Sequence, residues 1–368
     1  MTTKFSIGKF QIIHGGMPYV IAEIGVNHEN SLEQAFELIE LAKAGGAHAA
    51  KFQSYKAATL ASKHSPAYWD ISKEPTLSQR ALFTKYDSFG ADEYRLLAAH
   101  CVAVGIDFLS TPFDFEAVDF LDELMPCYKI ASADITNVPM LRRIASKGKP
   151  VILSTGASTV GEIDMAISTL EAAGCNNIAL LHCVLNYPTE NQNAGLRMIE
   201  GLARCFPSQA LGYSDHTFPQ HDLPALQVAY LNGALILEKH FTHDKALPGN
   251  DHYHAMDVDD LKRFFERLSM IMELQGNESA KHPLPTEAPA REHARRSIVI
   301  NRNMAAGAVL SEDDLTCKRP AHGISPVHWD LVIGRRIVAD CEEDHVLQWS
   351  DLVASEVSRN GDRVGNEH

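Results

Sequence analysis

YVIAEIGVNHENSLEQAFELIELAKAGGAHAAKFQSY, residues 19–55, reads as a strand, a helix and a second strand. The run YVIAEIG (19–25) is apolar almost throughout, as a strand covered on both faces must be. From Ser31 the period changes. Leu32, Ala35, Phe36, Ile39 and Ala42 recur at helical spacing, and Gly45 and Gly46 stop the pattern. Ser31 and Gln34 fit a capping box at its start. AHAAKFQSY (47–55) then returns to a strand pattern. Two strands joined through a covering helix pair in parallel, because a tight hairpin cannot make that connection.

The same unit recurs along the chain. GIDFLSTPF (105–113), CYKIASA (127–133), PVILSTG (150–156), NIALLHCVLNYP (177–188), ALGYSDH (210–216) and ALILEKHFT (234–242) are further strand candidates separated by helical patterns. One of those helices opens on a capping box of Thr159 and Glu162 and closes at Gly174. Eight strands, each followed by a helix, predict an α/β fold of the (β/α)8 TIM-barrel type. A doubly wound open sheet alternates in the same way but carries a glycine-rich phosphate fingerprint after its first strand, where this chain reads EIGVNHEN. The polar stretch 56–91 is long for a βα loop and is expected to cover the barrel mouth. The expected domains are a barrel at 1–280, a Pro-rich linker (KHPLPTEAPAREH) at 281–293, a small β-rich domain at 294–355 and a polar tail at 356–368.

Composition narrows the function classes. The 368 residues are 45% hydrophobic and 22% charged, which excludes a disordered chain. Acidic residues outnumber basic ones, 47 to 33, for a formal charge of -14. A field of that sign argues against nucleic acid or an anionic membrane as the main partner, while leaving room for a locally basic pocket. The seven cysteines are scattered and form no CxxC pair, so neither a disulfide framework nor a zinc ribbon is indicated. MTTKFSIGKFQIIHGG lacks the apolar core of a signal peptide, and no stretch reaches the roughly 20 apolar residues of a membrane span. A cytoplasmic protein is expected.

Barrel enzymes carry their catalytic groups at the C-terminal ends of the strands. Here those ends supply Glu23, Lys51 with Gln53, Thr111, Lys129 with Ser132, Ser154 with Thr155, His182, Tyr187, Ser214, Asp215, His216, Glu238 and His240. Lys51 and Lys129 each interrupt an apolar strand. An ammonium group is costly to bury without a partner, so two at neighbouring mouths favour a phosphate or carboxylate ligand. Lysines paired with a core carboxylate, or a Schiff-base nucleophile, are the alternatives. Ser132, Ser154 and Thr155 add hydroxyl and backbone donors suited to phosphate oxygens. His216 and His240 end adjacent strands, where they either hold a divalent metal or form a hydrogen-bonded pair; spacing does not choose. HFTHDKALPGNDHYH (240–254) adds His243, Asp244, Asp251 and His252 as potential ligands. Glu23, Asp134 and Asp251 are candidate acid–base or sugar-hydroxyl groups. The residues alone thus point to a barrel enzyme for a small phosphorylated or carboxylated molecule.

AEIGVNHENSLEQAFELIELAKAGGAHAAKFQSY, STPFD, KIAS, STG, HCVLNYPT, GYSDHT, EKHFT and PGNDHYHAMD occur in that order, followed by a C-terminal KRP. Together they closely resemble the sialic acid synthase (N-acetylneuraminate synthase) family over about residues 16–352. The C-terminal segment resembles the antifreeze-like (SAF) domain of that family. The resemblance implies condensation of phosphoenolpyruvate with the aldehyde carbon of an N-acetylmannosamine-like aldose, giving a 3-deoxy-nonulosonic acid and phosphate by C–O cleavage. It assigns phosphoenolpyruvate to Lys51, Thr111, Lys129, Ser132, Ser154 and Ser214. It assigns a metal, usually Mn2+ with Mg2+ or Co2+ as alternatives, to His216 and His240. Gln53, Asp134, Tyr187 and Asp251 match sugar-facing positions, and Glu23, His240 and Asp251 match catalytic ones. Arg319 matches an arginine contributed by a partner subunit, which implies a domain-swapped homodimer.

Three positions depart from the family pattern. Asp134 stands where the family carries a sugar-binding glutamate, and Leu185 stands where an asparagine is expected. The KRPGxG pattern reads Lys318-Arg319-Pro320-Ala321-His322-Gly323. These changes point to an acceptor other than N-acetylmannosamine, a related deoxy, diacetamido or non-acetylated sugar. Two competing readings are a Schiff-base aldolase acting on pyruvate through Lys51 or Lys129, and a non-catalytic carbohydrate- or ice-binding protein. The second leaves the strand-end constellation without a use, and 294–355 lacks regular threonine arrays.

Overall fold

Eight strands form one parallel sheet in the computed structural model, which describes residues 5–69, 71, 74–249, 251–276 and 278–353. They are β1 (Tyr19–Gly25), β2 (Ala49–Ser54), β3 (Asp107–Pro112), β4 (Tyr128–Ile130), β5 (Val151–Ser154), β6 (Ile178–Cys183), β7 (Ala210–Asp215) and β8 (Ile236–His240). The ladder order is β3-β2-β1-β8-β7-β6-β5-β4, so the first and last strands pair, with His240 opposite Glu23. β3 and β4 lie side by side at the remaining seam. The fold is a (β/α)8 barrel.

One long helix follows each strand: α1 (Leu32–Ala44), α2 (Ala91–Val104), α3 (Phe115–Leu121), α4 (Val138–Ala145), α5 (Val160–Ala172), α6 (Met198–Cys205), α7 (Pro224–Leu231) and α8 (Val258–Gln275). The strands are buried nearly end to end because helices cover the sheet outside and side chains fill it inside. In α1 the buried face is Ala35, Leu38, Ile39 and Ala42. Thr159 and Glu162 form the expected reciprocal cap on α5. The cap on α1 is only half of one. Ser31 accepts from the Gln34 amide, but Ser31 N already donates to His28 O, and the Gln34 side chain turns to Glu37.

A hairpin of Phe5–Ile7 with Phe10–Ile12 precedes the barrel and was not legible in the pattern, its strands being too short for a period. Phe10 packs edge-on against Tyr19 at the start of β1, centroids 5.2 Å apart, which puts the hairpin at the N-terminal end of the barrel. The opposite end is left to the βα loops. The stretch after β2 folds into two short helices, Ala57–Leu60 and Gln79–Thr84.

The chain divides into two units, Met1–Asn277 and Glu278–His368. In the second, β9 (Ser297–Ile300) pairs antiparallel with β10 (Leu315–Lys318) over a core that includes Ile298, Ile300, Leu315, Ile324 and Leu347. The segment read as a linker, 281–293, contains a short helix, Ala288–His293. The expected tail at 356–368 lies outside the described residues. Among the described residues no helix is long and apolar enough to cross a membrane.

Candidate active site

Strand alternation sorts the C-terminal residues of β7 and β8 into two sets. Ser214, His216, Glu238 and His240 line the mouth. Asp215 and Lys239 alternate with them and pair with each other, Nζ to Oδ2 at 2.8 Å, both fully buried. Asp215 is therefore structural, and its pKa lies below the usual carboxylate range because Lys239 and the Thr217 amide outweigh burial. His182 and Thr155 are likewise taken up internally, bonding the carbonyls of Ala194 (2.8 Å) and Leu181 (3.0 Å).

The mouth encloses a cavity of about 460 Å3. One side is cationic. Lys51 Nζ lies 2.5 Å from Glu23 Oε2, 3.2 Å from Thr111 Oγ1 and 3.8 Å from Glu238 Oε2. Lys129 Nζ lies 3.4 Å from Glu238 Oε1, which also accepts from Ser214 Oγ at 3.0 Å. Burial opposes the charge on Lys51, but Glu23 and Glu238 outweigh it and raise its pKa. For Lys129 burial wins and lowers the pKa, with Glu238 offsetting only part. Glu238 sits between the two ammonium groups and is held below the usual carboxylate range despite burial. Ser154 Oγ is buried without a hydrogen-bond partner, and Ser132 Oγ accepts from Gly156 N at 2.9 Å. Two lysines, four hydroxyls and a close backbone amide gather here, donors of the kind that suit the oxygens of a small anion, with Glu23 and Glu238 offsetting the lysine charges.

The other side carries imidazoles and carboxylates. The ligand atoms of His240, Asp251 and His254 all lie within 4.8 Å of one another. His216 stands beside them, its ring 5.5 Å from that of His240. Its Nδ1 faces the Val184 carbonyl at 2.9 Å, and although burial opposes the charge, Cys183, that carbonyl and Asp215 outweigh it and raise the His216 pKa. His240 Nδ1 is buried with no hydrogen bond, and burial together with His254, His216 and Lys51 keeps that ring neutral. Burial raises Asp251 to about 7, with Glu23 adding to the shift. Imidazoles beside a carboxylate, with His240 Nδ1 buried and unbonded, are the donor set of a borderline divalent cation, so these residues fit one.

Between the two sides, Glu23 Oε1 accepts from Gln53 Nε2 at 2.9 Å. Burial raises the Glu23 pKa, and Glu238 reinforces the rise against Lys51. Tyr187 covers His216, ring centroids 4.2 Å apart. Leu60, Tyr68, Gln79 and Phe83 of the stretch after β2 line the cavity, as expected of a cover, together with Phe113, Asp134 and Leu185.

The sequence model of the NeuB family matches residues 38–280, about two thirds of the chain, and that of the SAF domain matches 295–353. The chain belongs to the NeuB family. It is 38% identical to an uncharacterised protein of Methanocaldococcus jannaschii, over 95% of this chain and 99% of that one. It is 37% identical to the N,N'-diacetyllegionaminic acid synthase of Legionella pneumophila, over 91% of this chain and 95% of the relative. The crystal structure of the sialic acid synthetase of Leptospira borgpetersenii, in complex with citrate, superposes with a TM-score of 0.70 at 30% identity, covering 78% of this chain and 95% of that one. This NeuB-family chain is a condensing enzyme of the transferase type, which sets aside the non-catalytic reading.

The NeuB barrel brings together most of the strand-end residues singled out in the sequence: Glu23, Lys51, Gln53, Thr111, Lys129, Ser132, Asp134, Ser154, Tyr187, Ser214, His216 and His240 all line one cavity. Asp251 lines a smaller recess of about 100 Å3 that shares Gln53, Tyr187 and His240 with it. Arg319 is exposed and belongs to the second unit. His252 does not join, being bonded to Thr242 Oγ1 and placed 3.5 Å from Glu29. His254 does, although its spacing in the sequence gives no sign of it. The convergence depends on the path of the 241–256 loop, which residue spacing does not contain. Glu238 was noted at a strand end without a role, yet it joins the two lysines.

Proposed function

We propose that this chain condenses phosphoenolpyruvate with the aldehyde carbon of an amino-sugar-like aldose, giving a 3-deoxy-nonulosonic acid and inorganic phosphate. The observation that carries this reading is a cavity with a lysine- and hydroxyl-rich side facing a side of imidazoles and carboxylates. The first suits an enol phosphate and the second suits a polarised carbonyl. The names of the relatives support it.

Lys51, Thr111, Lys129, Ser132, Ser154 and Ser214 would hold the phosphate and carboxylate of phosphoenolpyruvate, with Glu238 balancing the lysines in the free enzyme. Gln53, Asp134, Tyr187 and Asp251 would orient the sugar, and Arg319 of a domain-swapped partner would close over it. A divalent ion on His216 and His240, with Asp251 and His254 beside them, would act as a Lewis acid on the aldehyde oxygen. Mn2+ suits that donor set, with Mg2+ and Co2+ as alternatives. The C3 carbon of phosphoenolpyruvate then bonds to the aldehyde carbon, water adds at C2, and the tetrahedral product loses phosphate with cleavage of the C2–O bond. Glu23, with its pKa raised by burial, is the group placed to move those protons with the ion bound, whereas Asp251 stands near 7 only in the ion-free chain. The cover from 56–91 would exclude bulk water from the intermediate. The acceptor is a deoxy, diacetamido or non-acetylated relative of N-acetylmannosamine, because Asp134 and Leu185 shorten or remove polar contacts and Leu60, Phe83 and Phe113 add apolar surface. We place the enzyme in the cytoplasm, in keeping with its unpaired thiols.

The test is phosphate release from phosphoenolpyruvate across a panel of hexosamines, with mass spectrometry of the product. No phosphate release with any aldose would overturn the reading, and best turnover with N-acetylmannosamine would overturn the acceptor assignment. One observation favours a second reading. The depressed pKa of buried Lys129 is what a Schiff-base lysine needs. Borohydride trapping of a pyruvate adduct on Lys129 would establish an aldolase instead.

A further inference from the structure

The second unit carries its own convergence of metal-ligating side chains, which the proposed reaction does not use. We infer that Glu292, His293 and His322 form a divalent-cation site of the Zn2+ type. Their ligand atoms all lie within 4.8 Å of one another. The carboxylate divides its oxygens between the two rings, with Oε1 3.5 Å from His322 Nε2 and Oε2 4.0 Å from His293 Nε2. The rings stand nearly perpendicular, 76° apart with centroids at 5.7 Å. Ligands on a tetrahedral zinc with bonds near 2.0–2.1 Å stand roughly 3.4 Å apart, so small side-chain rotations complete the set. Water would take the remaining position.

The backbone beneath these side chains is fixed, which separates the cluster from a chance gathering of surface histidines. Ala321 N donates to the Glu292 carbonyl at 2.9 Å, tying the loop that carries His322 to the helix that carries Glu292 and His293. Gly323 N donates to Ser297 Oγ at 2.9 Å, and the His322 carbonyl accepts from Gln348 Nε2 at 2.9 Å. A side chain at Gly323 would stand 2.5 Å from the Leu347 carbonyl, so the close approach that sets this loop requires glycine. Of the nearby cations, Lys318 pairs with Asp344 and Arg296 donates to the Cys317 carbonyl. Two imidazoles and a carboxylate on a held backbone favour Zn2+ over Mg2+ or Ca2+, which take all-oxygen shells. A bound ion would clip the loop of Arg319 and His322 to the 288–293 helix.

The experiment titrates Zn2+ into the full chain carrying His216→Ala and His240→Ala, which removes the two imidazoles proposed to hold the barrel ion. The expected result is one tightly bound equivalent, a raised melting temperature on binding, and a tetrahedral Co2+ spectrum when cobalt replaces zinc. His322→Ala and, separately, Glu292→Gln should abolish all three. In the otherwise unaltered chain, where misfolding of the double variant is no concern, His322→Ala should remove one equivalent of bound Zn2+. No uptake in the double variant, or uptake unchanged by both His322→Ala and Glu292→Gln, overturns the site. These outcomes do not depend on which reaction the barrel performs.

Discussion

Lys51 Nζ lies 2.5 Å from Glu23 Oε2, on the adjacent strand and in direct register, at the point where the cationic and imidazole sides of the barrel mouth meet. The pair is almost wholly buried, so each charge depends on the other for its solvation. Glu23→Gln keeps the shape and the contact to Gln53 but leaves Lys51 with Glu238 at 3.8 Å as its remaining carboxylate. Breaking one member of a buried pair costs about 3–5 kcal/mol, and the second carboxylate puts this case at the lower end, about 3 kcal/mol. Urea unfolding measures it. If Glu23 also moves a proton in the reaction, kcat falls by about 10²–10⁴-fold. A variant as stable and as active as the parent chain would remove both assignments.

Gly156 follows β5 and donates its amide to Ser132 Oγ. A methyl group there would stand 2.9 Å from Ser132 Oγ, 3.1 Å from Cys183 Sγ and 3.2 Å from Leu185 N, in the space between three loops. Gly156→Ala should displace Ser132 and spoil the anion pocket while leaving the strands intact. Losing one hydrogen bond to a charged ligand is worth about 1.5–3 kcal/mol, so KM for phosphoenolpyruvate should rise by roughly 10–150-fold. Steady-state kinetics checks it, and an unchanged KM would count against this pocket as the phosphate site.

These two residues show what the sequence carried and what it did not. Strand–helix alternation was readable because each strand is apolar end to end and each helix keeps a 3.6-residue face, so the barrel and its active end followed. Lys51 and Lys129 stood out because a cation inside an apolar strand needs a reason. Glu238 had the same signal, but its role depends on reaching across the barrel to two lysines on other strands. His254 and Gly156 were invisible for another reason. Their importance lies in distances across loops, and neither histidine clustering nor the STG string states which atoms meet. The N-terminal hairpin, with three residues per strand, was too short to show a period.

Asp251 is held near 7 by burial and by Glu23, whereas His240 is kept neutral far below its ordinary value. A cation needs the carboxylate, so binding must expel the Asp251 proton below pH 7; it expels none from His240, but it also expels one from His216, whose pKa is raised. Mn2+ affinity should therefore fall as the pH drops below about 7, by about tenfold per unit for each proton expelled. Titration of the metal-free chain between about pH 5 and 8, with proton release followed alongside, measures this. Asp251→Asn should bind more weakly and lose the Asp251 share of the slope; a slope unchanged in that variant would place the titrating ligand elsewhere.

Asp134 lines the cavity on the turn after β4, half-buried, with Oδ1 accepting from Asn137 Nδ2 at 3.0 Å. Burial raises its pKa, with Asn137 offsetting part of the shift. That bond engages the carboxyl group, and the side chain is one methylene shorter than the glutamate that the family resemblance implies at this position. A sugar hydroxyl that meets glutamate directly would here be left short of its partner, which penalises acceptors that carry that hydroxyl. Asp134→Glu should restore the reach and shift the ratio of kcat/KM values toward N-acetylmannosamine by about tenfold, the lower end of what one methylene decides in a binding pocket. Competition between N-acetylmannosamine and a diacetamido-trideoxyhexose, read by mass spectrometry of the mixed products, measures the ratio directly. A shift in the opposite direction would show that Asp134 contacts the acceptor's substituents in some other way and that Leu185 sets the preference instead.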